Sequence, residues 1–98
     1  MFKNNRYVTS GVMSEIEDST QLAMWNLIDD LNMRRDYLQV FRLSYVNING
    51  VDMQQIIHEQ EQPPFREVIV IPAYYPVLLN VFVIDDGENS TMLLTFEY

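Results

Sequence analysis

The sequence predicts an α+β fold, with one amphipathic helix packed on a mainly antiparallel sheet of five or six strands. Three observations carry that reading. One stretch in the first third of the chain has apolar residues at helical spacing, whereas the remainder breaks into short apolar runs separated by turn residues. The connections between those runs are too short for crossover helices, so successive strands should run antiparallel. The composition, 48% hydrophobic and 12% aromatic against 20% charged over 98 residues, supplies one core and one domain. Disordered chains show the opposite balance.

Arg6 to Val12 is rich in β-branched residues and bounded by polar residues and Gly11, so it reads as a first strand. Ser14 to Ser19 then offers capping side chains and negative charge ahead of a helix from about Ser19 to Arg34. The core stripe of that helix is Met24, Leu27, Ile28 and Leu31, with Trp25 at its margin and Asn26, Asp29 and Asp30 opposite. Arg34 and Arg35 fall in its last turn, where cations complement exposed carbonyls.

Tyr37 to Val46 is a strand whose alternation slips. Leu38 and Val40 hold one phase, and Phe41, Leu43 and Tyr45 the other. Burial on both faces would give that pattern, and so would a β-bulge. Asn49-Gly50 signals a tight hairpin. Met53 to Gln62 returns as a polar edge strand, ended by Pro63-Pro64. Val68 to Ile71 reads as a compact buried strand, Pro72 to Pro76 as a loop, and Val77 to Ile84 as a further strand. Asp85 to Asn89 forms a hairpin loop with Gly87 at positive φ, and Ser90 to Phe96 closes the sheet.

No constellation for catalysis, metal or cofactor emerges. The chain has no cysteine and one histidine, His58, so a zinc site would need an all-carboxylate remainder. Glu59 and Glu61 share one strand face and His58 the other, which makes His58 a surface strand histidine rather than a general base. Asp85, Asp86 and Glu88 are too closely spaced, and between strands rather than helices, for an EF-hand calcium loop. No nucleophile elbow surrounds a serine, and the three glycines are isolated from one another.

Fourteen acids against six bases give a net charge of −8. That opposes direct binding to nucleic acid and to anionic membranes, both of which attract basic surfaces. Beyond Arg66 the chain has acids but no base. Without a signal-peptide pattern or a long apolar run, the expected location is cytoplasmic. Features suited to protein binding are the loop tyrosines Tyr74 and Tyr75 and the acids Glu59, Glu61, Asp85, Asp86 and Glu88.

Four segments together resemble a known family. They are Asn5-Arg6-Tyr7-Val8-Thr9 with Gly11-Val12, Asp36 through Phe41, Ile56-Ile57-His58 with Gln60-Glu61 and Pro63-Pro64, and Val83 through Gly87 with Ser90 through Leu94. In that order they resemble a family of small uncharacterised acidic proteins from Gram-positive bacteria and their phages. The resemblance implies a phage or mobile-element setting and brings no catalytic residue.

The expected function is a non-enzymatic protein-binding module acting on a host protein. Its sharper form is an acidic inhibitor of a nucleic-acid-binding defence enzyme, similar to anti-CRISPR proteins and recognising a basic surface, an analogy of charge and size. The alternatives are a self-assembling homo-oligomer and a small enzyme using His58.

Overall fold

The computed structural model describes all residues from Met1 to Tyr98. The chain runs β1 (Asn5–Val8), α1 (Ser10–Glu15), α2 (Asp18–Asp29), β2 (Leu38–Ile48), β3 (Val51–Gln60), β4 (Phe65–Ile71), β5 (Leu79–Asp85) and β6 (Asn89–Leu94), then a 3-10 turn over Thr95–Glu97. The strands form one sheet in the order β1-β6-β5-β2-β3-β4. All neighbours are antiparallel except β1 and β6, which pair in parallel, so the sheet is mixed.

The position of the helices follows from that topology. β1 and β2 point the same way, so the chain between them must cross over one face of the sheet. Both helices lie in that crossover. Every buried strand residue faces them: Gln39, Phe41 and Leu43 on β2, alternate residues from Gln54 to Gln60 on β3, and the corresponding positions of β5 and β6. Met24, Trp25 and Ile28 from α2 and Val12 from α1 close this layer.

A further helix, α1, precedes the one that was expected. Thr9 caps α1 by accepting a hydrogen bond from Val12 N at 3.3 Å, which converts the C-terminal part of the anticipated first strand into helix. The second helix stops at Asp29, before Arg34 and Arg35. Arg35 still serves its end by folding back to donate to the carbonyls of Ile28, Asp29 and Leu31. Gly11 lies against the end of the Glu97 side chain. A side chain there would meet the Glu97 carboxylate at 2.6 Å, and that carboxylate accepts from Thr9 Oγ1 and Leu94 N.

Two further expectations are corrected, and one of the two alternatives for β2 is excluded. β3 is interior and β4 is the edge, because the chain makes a meander β2-β3-β4 and then returns past two strand ends to begin β5. Val68 and Val70 are exposed on that edge rather than buried. β2 contains no bulge. Its register with β3 and β5 is continuous, and its two apolar phases occupy the two faces of the sheet.

Candidate functional site

His58 is not a surface residue. It sits fully buried on the helix-covered face, stacked on Phe41 with ring centroids 4.5 Å apart and met edge-on by Phe65. The polar chain around it fixes its protonation. Gln60 Nε2 donates to the carbonyls of Arg34 and Pro63, which turns its Oε1 toward the Gln39 amide at 2.7 Å. Gln39 Nε2 donates to that oxygen and to Asp36 O, so Gln39 Oε1 is left facing His58 Nε2 at 2.6 Å. The imidazole therefore carries its proton on Nε2, and Nδ1 is buried without a partner. Desolvation pushes its pKa down to about 4. No carboxylate bonds the ring, and this geometry gives a neutral structural histidine within a glutamine network.

The acids singled out in the sequence are dispersed. Glu59 lies on the opposite face of β3, paired with Arg42 at 2.7 Å. Glu61 is in the turn after β3, so it forms no row with Glu59. Asp85 is buried: its carboxylate accepts from Phe2 N at 2.7 Å, Gly87 N at 2.8 Å and Asn4 Nδ2 at 3.0 Å. Burial disfavours its charge, but these donors outweigh burial and hold the carboxyl below its ordinary pKa. Asp85 thus ties the N-terminus to the hairpin. Asp86 accepts from Glu88 N and Asn89 N, which leaves only Asp86 and Glu88 at the solvated tip. No group of three or more His, Cys, Asp or Glu side chains is placed to share a metal ion.

Tyr74 and Tyr75 are the most exposed loop aromatics, at 90% and 78%. Their backbone is anchored: both N–H groups donate to the Glu17 carboxylate, and Gln54 clamps Val77 through both its N–H and its carbonyl. The loop is held while its rings face water.

The largest candidate surface was not singled out in the sequence. The sheet face opposite the helices has no covering layer, and none of its strand residues is buried. Its midline consists of the β2–β5 pairs Leu38–Ile84, Val40–Phe82 and Arg42–Asn80, with Leu93 on β6 beside Phe82 and with Glu59 and Ile57 on β3 beside Val40 and Arg42. The edges carry exposed Tyr7 on β1 and Val68 and Val70 on β4. Tyr98 meets the Phe82 ring edge-on at 5.8 Å. The only charged side chains on the strands of this face are Arg42, Glu59 and Arg66, so thirteen of the fourteen acids lie elsewhere. The sequence signal was present in the slipped alternation of β2 and in the apolar runs of β4 and β5, whose residues are apolar in both phases.

No helix is long and apolar enough to cross a membrane. No curated protein shows significant sequence similarity to the chain. A crystal structure of a protein of unknown function from Enterococcus faecalis is similar, with 29% identity and a TM-score of 0.77 over 97% of this chain and 91% of that one. The model of a family described as staphylococcal protein of unknown function, DUF960, matches residues 5–97. With nearly its whole length matched, the chain belongs to that family of Gram-positive proteins of unknown function.

Proposed function

We propose that the chain is a non-catalytic protein-binding module that engages its partner through the open face of the sheet. The observation that carries this reading is a run of apolar side chains, from Tyr7 on β1 through Phe82 and Val40 to Val68 and Val70 on β4, with no helix over it. Contiguous apolar surfaces of that extent on a small domain mark interaction sites. Leu38, Val40, Phe82 and Ile84 form an apolar patch on the two middle strands, and the charged side chains are confined to one adjoining cluster on β2, β3 and β4. His58 does not favour an enzyme, because its free nitrogen is sealed among Phe41, Phe65 and its glutamine partner.

The test is partner capture by the folded protein with single substitutions. Val68→Lys on the open face should abolish specific capture, and Tyr74→Ala on the far loop should leave it intact. Capture unaffected by Val68→Lys would refute the reading.

A second reading has its own support. Thirteen acids and only four bases lie off the open face, so the helix side and loops present a negative surface. A host protein with a basic channel fits that field, as in acidic inhibition of a nucleic-acid-binding defence enzyme in a phage or mobile-element setting within the cytoplasm. It predicts binding that weakens steeply with salt and competes with nucleic acid. Binding through the open face should be nearly insensitive to salt, which separates the two.

A further inference from the structure

We infer that the open sheet face is covered by a second copy of this chain, packed sheet on sheet about a two-fold axis. This rests on the reading of that face as the binding surface and names its occupant. Three observations support a like copy.

The first is the pattern of the strands. β2 and β5, at the middle of the sheet, carry large apolar residues in both phases, as strands buried on two sides do, interrupted on the open side by Arg42, Ser44 and Asn80. Within one chain only the helix side is covered. A second sheet placed about 10 Å away would complete the burial, as in a β-sandwich.

The second is area. Six strands spaced about 4.8 Å apart, averaging seven to eight residues at roughly 3.3 Å each, give a face of about 700 Å². A stable interface needs about 800 Å² from each partner, so the sheet face and its flanking Tyr98 approach that size without any further element. The pairs Val40–Phe82 and Leu38–Ile84 put an apolar patch on the two middle strands, where a two-fold axis brings like against like, with the Arg42–Glu59 ion pair beside it.

The third is charge. The face carries two bases and one acid against a chain total of −8. Stacking two open faces directs both acidic helix layers outward, away from each other. Their separation then exceeds the ~10 Å over which salt leaves charges unscreened. A basic partner would be drawn to the helix side instead. The surface that matches this nearly neutral face in composition is the face itself.

The experiment is the solution mass of the full chain by light scattering and sedimentation, together with inter-chain cross-linking. Wild type should run at twice its 11.6 kDa chain mass. Val68→Lys, at an exposed edge position, and Val40→Lys, at the centre, should shift it to one chain mass, with circular dichroism confirming the fold. Tyr74→Ala should remain a dimer. The chain has no cysteine, so Ile57→Cys provides a single thiol on the open face. A short bis-maleimide should cross-link Ile57→Cys and should fail on Ser19→Cys on the helix layer.

A wild-type monomer at about 0.5 mM, a concentration that would populate even a weak dimer, overturns the inference. So does a dimer that survives both lysine substitutions, or one that cross-links through Ser19→Cys. In the monomer case, capture of another protein that Val68→Lys abolishes would leave the broader reading standing. Capture insensitive to Val68→Lys would remove both.

Discussion

The two faces of this one sheet are built from the same strands and differ in how their polar groups are handled. On the helix-covered face, Gln39, Gln54, His58, Gln60 and Asp85 are buried, and each makes hydrogen bonds within the chain. On the open face the Arg42–Glu59 ion pair and side chains such as Asn80, Ser44 and Gln55 lie directly beside the apolar residues of the same strands. The first arrangement specifies one fold, since each amide there has a fixed partner and a displaced strand would strand several polar groups. The second specifies little within the chain and leaves apolar area in water. One face builds the domain, and the other leaves apolar side chains uncovered.

Substitutions should separate the faces by size of effect. Phe41→Ala, beneath the helices, should destabilise by about 3–5 kcal/mol in urea unfolding, through lost burial and the cavity beside His58. Val68→Ala on the open face should cost less than about 1 kcal/mol. If both cost the same in a monomer, the two faces are not distinct in the way described.

The pH dependence sharpens the comparison on the covered face. Above pH 6.5 His58 is neutral in both folded and unfolded chains. As pH falls below 6.5 the unfolded chain gains a proton that the folded chain excludes down to about pH 4. Stability is therefore fully present above pH 6.5 and is lost as pH falls, by up to about 3 kcal/mol at pH 4 from this residue. His58→Leu should flatten that acid limb, measured by urea midpoints from pH 7 to 4, even though it leaves Gln39 Oε1 without its donor.

Gln54 offers a smaller test. Gln54→Ala removes the clamp on Val77 and the bonds to Ser44 O and Gln55 O, and should cost about 2 kcal/mol. Hydrogen exchange should rise first in residues 72 to 78. The smallest effect belongs to the open face. Breaking the exposed Arg42–Glu59 pair by Arg42→Ala should change stability by less than about 1 kcal/mol, with the remainder screened by salt.

Much of the fold was legible in the sequence because its signals are local. Asn49-Gly50 and Gly87 take the positive φ angles that their turns require. Met24 and Ile28 mark the buried stripe of α2 from spacing alone, with Leu31 buried just beyond the helix. The site was less legible. His58 was read as exposed because β3 was read as a polar edge strand, but β3 is interior and Gln60 is polar because it is part of the network. Asp85 looked like a hairpin acid because its three donors come from sequence neighbours and from residues more than eighty positions away.

The sequence by itself determined the α+β class, the turns, the main helix and the acidic balance, since each follows from spacing, backbone freedom or composition within a few residues. Only the tertiary structure decided the parallel β1–β6 pairing, the interior place of β3 and the exposure of one whole sheet face. Those depend on which strands meet across the chain and on which side the β1-to-β2 crossover passes. Period-two alternation places residues on opposite faces and does not say which face the helices will cover.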